Sequence, residues 1–423
     1  MRWKWAAALA LSGCAASGTG IGDGSSEPVT LYENGRVWTG EDFAPRALAV
    51  QGGRFVDPRR AGRDSARVDL AGRYVVPGYG NAHAHITPAD EAGSARYLKD
   101  GVFYVWNPNT IVLPAVAKTF FAQPANYNVK IAQGGVTEPG GHPERLYVDY
   151  LAKQVYPGRD RAWFVGNAFH YGSTPAEIDA SLDRLRGQGA DFVKAYLLHS
   201  EEWEKRRTDA KFYGQKGLDP RNMPYLVEAA RRRGLWVAAH LETAADLRAA
   251  AEAGVKVAAH VPGYHGELEN GEADMTEADA RFVAAKKMLL IPTYSIAAGR
   301  FTAREGQPAP DPAKRDRVFA RQRANLLRLK QAGATFLMGT DGWGPIYDEA
   351  EHWVRIGAFT PAEATRVVLG TGARLFPERR VGCFQAGCEA DFLVLGGDPT
   401  QDVKALRLIT DRVKAGKRVA VTP

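Results

Sequence analysis

The stretch Gly234-Leu235-Trp236-Val237-Ala238-Ala239-His240 is echoed, one helix-length on, by Gly254-Val255-Lys256-Val257-Ala258-Ala259-His260. Each unit has the same grammar: a glycine that stops a helix, a short apolar run, and a polar group that closes it. Glycine enters the left-handed conformation that ends helices without steric cost, and short apolar runs behind it read as buried parallel strands. The grammar recurs at Gly189-Ala190-Asp191-Phe192-Val193-Lys194 and at Gly333-Ala334-Thr335-Phe336-Leu337-Met338-Gly339-Thr340-Asp341. Helix starts agree with it. Thr174-Pro175-Ala176-Glu177 and Thr360-Pro361-Ala362-Glu363 each offer a capping threonine, proline at the first helical position and a glutamate behind it. Strands that alternate with helices in this way predict an α/β protein with a parallel sheet.

Upstream, Val75-Val76-Pro77-Gly78-Tyr79-Gly80-Asn81-Ala82-His83-Ala84-His85 reads as another apolar run, ending in two imidazoles that period-2 geometry puts on one side of a strand. Adding Val102–Trp106, Val129–Ala132, the Lys194, His240 and His260 runs, Met288–Pro292 and the Asp341 run gives eight strands. Eight is the count of a closed (β/α)8 TIM barrel, whose active site lies at the C-terminal strand ends. An open doubly wound sheet would not gather polar groups from six places along the chain. The flanks, residues 28–76 and 380–423, hold short runs and the turn pairs Asn34-Gly35, Gly52-Gly53, Ala71-Gly72, Gly396-Gly397 and Ala415-Gly416. They predict one small β-sandwich built from both chain ends around a barrel of residues 77–379. Thr302–Arg315 predicts an irregular loop near the pocket mouth.

Bulk numbers set bounds. With 45% hydrophobic and 10% aromatic residues, the chain has an ordinary globular core composition. The net charge of +7 is scattered, and its densest run, Arg231-Arg232-Arg233, suits a last helical turn. No basic face with interleaved aromatics appears, so nucleic acid is not expected as a partner. Residues 1–14 read as a targeting segment: Arg2 and Lys4, then an apolar stretch from Ala6 to Leu11, then Leu11-Ser12-Gly13-Cys14. That pattern resembles a bacterial lipoprotein signal. It implies export and lipidation at Cys14, with Ala15 matching outer-membrane sorting on the periplasmic face and residues 15–27 forming a flexible tether. Cys383 and Cys388 flank a turn at Ala386-Gly387; in an oxidising compartment they are expected to form a disulfide, the alternative being two buried thiols.

The polar groups His83, His85, Lys194, His240, His260 and Asp341 suggest one chemistry. Neutral imidazoles and carboxylates bind zinc and its neighbours in hydrolytic sites. An ammonium has no lone pair, but a lysine amine that has added CO2 becomes a carboxylate able to bridge two cations. Two ions about 3.5–4 Å apart would then acidify a shared water, and Asp341 would move its proton. Each histidine taken singly is more often a hydrogen-bonded core residue than a ligand, and Lys194 alone could be a surface cation; the set taken together reads as a metal site.

The set is similar to that of the amidohydrolase superfamily, in the branch with a binuclear site and a carboxylated lysine. The resemblance covers residues ~50–400, including Phe376-Pro377-Glu378-Arg379-Arg380-Val381-Gly382 and Gly387-Cys388-Glu389-Ala390-Asp391-Phe392-Leu393-Val394-Leu395. It is closest to imidazolonepropionase-like and prolidase-like members. It implies that His83, His85 and Asp341 hold the more buried metal, that His240 and His260 hold the other, and that Lys194 bridges them, with zinc as the expected ion. The superfamily's mononuclear deaminases place a glutamate three residues after the fifth-strand histidine. Here Glu242 follows His240 by two, and Lys194 is present, so a deaminase is not expected.

The specificity layer is thinner. His142, in Gly140-Gly141-His142-Pro143, Tyr264, Tyr294 and Trp343 are candidate substrate contacts, with loop bracing or core packing as their alternatives; Asn107 lies just beyond a strand end. His170, His199, His265 and His352 are expected in solvated or capping roles. The chain therefore reads as an exported, lipid-anchored metal-dependent hydrolase of a C–N bond in a small amide, lactam, dipeptide or N-acyl amino acid. Ester, lactone or phosphotriester hydrolysis at the same site is the alternative. A non-catalytic metal-binding periplasmic lipoprotein is the alternative of another class. Sequence leaves oligomeric state open.

Overall fold

The computed structural model describes residues 27–85, 91–265, 271–302, 309–342 and 344–420. Cys14, the rest of the targeting segment and all of the tether but Glu27 lie outside them, as does Trp343. Among the described residues no helix is long and apolar enough to cross a membrane.

Parallel strands dominate the centre. One sheet runs, in spatial order, Phe169–Tyr171, Gly135–Thr137, Val193–Tyr196, Val237–His240, Val257–Ala258, Leu289–Leu290 and Thr335–Phe336. A second holds Tyr79–Asn81, Val102–Asn107 and Asn128–Ile131. Hydrogen bonds outside these ladders join the two. Ala82 N donates to Met338 O at 2.8 Å, and on the other side Asp191 N donates to Ile131 O at 2.8 Å. Gly135–Thr137 and Phe169–Tyr171 were not among the expected strands; both are three residues long, too short to show a periodic pattern.

The helix boundaries follow local chemistry. Gly189, Gly234, Gly254 and Gly333 all have φ between 75° and 82°, the left-handed geometry that ends a helix and that a Cβ opposes. The Thr243 hydroxyl accepts from Asp246 N, and the Asp246 side chain returns a bond to the cap, starting helix Ala244–Glu252. Thr360 and Glu363 do the same for Pro361–Leu375. Residues 309–311 precede a helix that begins at Pro312 and runs to Gln331, capped by Asp311. The irregular segment is therefore shorter than the expected Thr302–Arg315.

Both chain ends meet in an eight-stranded sheet. Tyr74–Pro77 pairs in parallel with Thr30–Trp38 and antiparallel with Phe392–Leu395. Val75, Val76 and Pro77 thus belong to this sheet, and the run read as continuous to His85 is two strands broken at Gly78. Asn34-Gly35, expected as a turn, lies inside Thr30–Trp38. Asn34 has φ 56°, and the pairing with Phe43–Gln51 shifts register between Tyr32 and Gly35, so the pair makes a bulge. A Cβ at Gly35 would lie 2.5 Å from the Leu70 side chain. Cys383 and Cys388 are disulfide-bonded, with Cα atoms 5.9 Å apart.

A buried polar cluster locks this sheet to the parallel core. Asp391 Oδ2 accepts from Tyr104 OH at 2.6 Å and pairs with Lys414 Nζ at 3.1 Å, while its Oδ1 accepts from Ala415 N at 2.6 Å. Lys414 also donates to Asn128 Oδ1 at 3.0 Å. Burial would raise the Asp391 pKa, but Lys414 and Tyr104 outweigh it and hold it below the ordinary value. Removing one member strands a buried charge, which costs about 3–5 kcal/mol, whereas replacing both by apolar groups is close to neutral. Lys414→Met should therefore lower unfolding free energy by about that amount in urea titrations, and Asp391→Leu/Lys414→Met should recover most of the loss.

Candidate metal centre

His83 and His85 follow the strand Tyr79–Asn81, so loop geometry and not strand alternation aims them. Asn81 Oδ1 accepts from His83 N at 3.1 Å, and Asn81 Nδ2 donates to Thr340 Oγ1 at 3.0 Å. Asp341 N in turn donates to His83 O at 2.7 Å. Gly339 makes this approach possible: a Cβ there would meet Ile291 at 2.4 Å and His83 N at 2.9 Å. Asp341 itself has φ 55°, a strained conformation for a residue with a Cβ, of the kind that collects at functional sites. Its Oδ1 lies 2.8 Å from His83 Nε2 and 2.9 Å from His85 Nε2.

The histidines are oriented from behind. His83 Nδ1 meets Ala259 O at 2.6 Å, His85 Nδ1 meets Asn109 O at 2.7 Å, and His260 Nδ1 meets Thr293 Oγ1 at 2.8 Å. Thr293 already donates its hydroxyl proton to Pro292 O, so it accepts from His260. In neutral imidazoles these bonds place the proton on Nδ1 and leave Nε2 as a lone pair. His83 Nε2 is buried and, despite its closeness to Asp341, makes no well-directed hydrogen bond. His240 is held the other way round: its Nε2 meets Glu242 Oε1 at 3.0 Å, leaving Nδ1 as the acceptor. The rings form a continuous group, with His83–His260 and His240–His260 centroids each 4.6 Å apart.

Burial holds His83 at about 4, and His240 and His260 below the ordinary imidazole value, against the opposing pull of the nearby carboxylates. Burial would raise the Asp341 pKa, but His83 and His260 hold it well below the ordinary range. Neutral imidazoles facing an ionised carboxylate are the donor set a divalent cation takes. The lone-pair atoms of His83, His85 and Asp341 lie within 4.8 Å of one another. Lys194 sits within its strand, paired with Gly135 and Ala238, and is buried. Burial lowers its pKa to about 7. The neutral amine, the form that adds CO2, is thereby accessible near neutrality.

All six sequence-predicted ligands line one cavity of about 890 Å3. His142 and Tyr264 line it as well. The His142 ring stacks on His240 at 4.6 Å and 21°, and Tyr264 stacks on His260 at 4.0 Å and 19°. Tyr294 does not line it: its hydroxyl donates to Pro262 O at 2.9 Å, a packing role. Asn107 is the last residue of its strand and is buried.

Sequence reading missed the carboxylate behind His240. Glu242 is buried, pairs with His240 and His265, and accepts from Tyr264 OH at 3.1 Å. Burial would raise its pKa, but His265 and His240 hold it well below the ordinary value. His265 is thus tied to the site, and His170, His199 and His352 are buried rather than solvated. The available signal was the His240-x-Glu242 spacing, which had been weighed only against the deaminase pattern. Asn109 and Tyr196, hydrogen-bonded to each other inside the cavity, carried no signal.

Comparison with known proteins identifies the family and the fold. The model of the amidohydrolase family matches residues 164–419, a span that includes Lys194, His240, His260 and Asp341 but not His83 and His85. Solved structures similar to the chain include A. niger ochratoxinase, 18% identical with TM-score 0.70 over 92% of this chain and 96% of that one. A prolidase complexed with N-methylphosphonate-L-proline is 17% identical, with TM-score 0.70 over 93% and 100%. Molinate hydrolase is 16% identical, with TM-score 0.69 over 93% and 95%. At these identities the likeness is one of fold. No curated protein matches the chain.

Thr293 and Glu242 hold the rings of the candidate ligands His260 and His240. Thr293→Val and Glu242→Gln should each weaken zinc binding by about 10–100-fold, the usual effect of losing such a partner. Titration against a competing chelator measures it; unchanged affinity in both variants would show that these contacts do not orient the ligands.

Proposed function

Since the chain belongs to the amidohydrolase family and is a hydrolase acting on carbon–nitrogen bonds, we propose that it cleaves a small amide, lactam, dipeptide or N-acyl amino acid in the cavity above His83, His85 and Asp341. The observation that carries this reading is the convergence of imidazole nitrogens and the Asp341 carboxylate on a cavity large enough for a substrate. His83, His85 and Asp341 would hold one divalent cation, and His240 and His260 a second. Lys194, as its carbamate, would bridge the two. Bound there, the cations would supply Lewis acidity, acidifying a water and polarising the scissile carbonyl.

The chain's own groups do the rest. Asp341 accepts the proton of the attacking water and returns it to the leaving nitrogen, whose departure as a free amine needs it. His142 is half-buried, and desolvation together with His240 lowers its pKa to about 3, so it meets the substrate as a neutral hydrogen-bonding ring. The Tyr264 hydroxyl, pointed at Glu242, braces the His240–His260 side of the floor.

Two further readings belong here. We take the two parallel sheets to be one closed (β/α)8 barrel, supported by the Ala82–Met338 and Asp191–Ile131 hydrogen bonds between them. We also take the chain to be exported and lipid-anchored at Cys14, supported by Arg2, Lys4 and the Leu11-Ser12-Gly13-Cys14 box.

The test uses protein reconstituted with zinc and bicarbonate and a mixed library of dipeptides, N-acyl amino acids, lactams and esters, read by mass spectrometry. Loss of a C–N compound is expected, and Asp341→Asn should lower its kcat by about 10²–10⁴-fold or more with an unchanged circular dichroism spectrum. Full activity in that variant would sink the mechanism, and cleavage confined to esters would replace the substrate class. Metal analysis should give about two ions per chain, falling to about one or fewer in Lys194→Ala.

A further inference from the structure

The cavity has a second wall whose chemistry the hydrolytic reading does not use. Besides the candidate ligands, the cavity is lined by Ile111 and Leu113, from the segment after Val102–Asn107, and by Leu146, Leu151, Val155 and Tyr156, from the segment after His142-Pro143. All six are apolar or aromatic. Among the described residues lining the cavity there is no arginine, and the lysine is Lys194 on the floor.

Two independent observations give this wall meaning. The first is exposure. Only five large hydrophobic side chains among the described residues are exposed, and three of them, Leu146 (44%), Tyr150 (50%) and Val155 (55%), come from this one stretch. Leu146 and Val155 also line the cavity. A cluster of apolar groups left in water at the mouth of a pocket marks a surface that a ligand covers. The second is rigidity. Tyr147, Phe164, Ala168 and Phe169 form an apolar core of their own, separate from the main one, with Ile111, Leu151 and Tyr156 packed against it. The wall therefore rests on a dedicated support. Its helix opens into a π-turn over Leu146–Leu151, a feature that often sits at functional sites.

We propose that the substrate carries a bulky, uncharged apolar group, an aryl or medium-length alkyl chain flanking the scissile C–N bond. The group seats against Ile111, Leu113, Leu146, Leu151, Val155 and Tyr156 while the bond lies over His83 and Asp341. This rests on the hydrolase reading for the chemistry, and on the wall alone for the ligand class. The cavity, at about 890 Å3, is near the upper end of the range for small-molecule sites, larger than a minimal amide needs. Burying one methylene against such a wall strengthens binding by about fourfold.

Two homologous series test it: N-methylamides lengthened on the acyl side, and acetamides lengthened on the nitrogen. Equilibrium binding is measured on the metal-free full chain, and kcat/KM on the zinc- and bicarbonate-loaded chain. In at least one series Kd should fall about twofold to fourfold per methylene over four or more carbons, with kcat/KM rising in step. Leu146→Asp and Val155→Asp, both at exposed positions, should flatten that slope. A flat slope in both series, or a slope untouched by both substitutions, overturns the proposal. The two readings fail separately: a binding slope with no turnover keeps the wall and sinks the hydrolase, whereas turnover with no slope does the reverse.

Discussion

The junction of His83 and Asp341 is the constraint on which the molecule turns. Residues on opposite ends of the parallel core are joined there by Asp341 N to His83 O at 2.7 Å and by Asn81 to Thr340 at 3.0 Å. Only glycine at 339 allows the two backbones to come so close. The left-handed conformation of Asp341 is the local cost of turning its carboxylate back toward the imidazoles. The same contact does structural and chemical work: it ties the segment after Tyr79–Asn81 to the segment after Thr335–Phe336 and brings a carboxylate within 3 Å of two ring nitrogens. The Asp391–Lys414–Tyr104 cluster separately ties the eight-stranded sheet to the strand Val102–Asn107.

Charge explains why so many titratable groups can share so little space. Burial drives His83, His240 and His260 toward the neutral form and Lys194 toward the free amine. Asp341 and Glu242 remain ionised because imidazoles face them. Asp341 at the cavity and Glu242 behind His240 are thus set among neutral nitrogen donors, an arrangement that favours a multivalent cation over protons. Backbone carbonyls and Thr293 fix the ring tautomers so that the lone pairs need no rearrangement. Glu242 does for His240 from a side chain what Ala259 O does for His83 from the main chain.

What could be read in the chain alone followed from periodicity and from residue types with few other uses. The Gly-stop, apolar-run, polar-end grammar located the strands that bear Lys194 and His240 because glycine at positive φ and short buried runs are local properties. The six candidate ligands lie together around one cavity. Reading failed where the decision was tertiary. Val75-Val76-Pro77 and Tyr79-Gly80-Asn81 look like one run, yet they pair with different sheets. Asn34-Gly35 has turn chemistry but is used as a bulge, since its strand continues against Phe43–Gln51. His265 and Glu242 meet from separate segments, and no spacing rule anticipates that.

The apolar wall is the most telling of these omissions, because it shows where specificity resides. On the proposed reading the floor is built from residues chosen for cation chemistry, so it can say which bonds are broken but not which molecule is chosen. The wall is built from Leu146, Leu151, Val155 and their neighbours, on a segment with its own small core. Its residues are common in any protein, so their types carry no message in a sequence. Only their assembly on one side of a cavity, partly exposed to water, does. Chemistry and selection are thus divided between two supports, the parallel core beneath the floor and the satellite core behind the wall. Changes in the second can alter the substrate without disturbing the hydrogen bonds that hold His83 to Asp341.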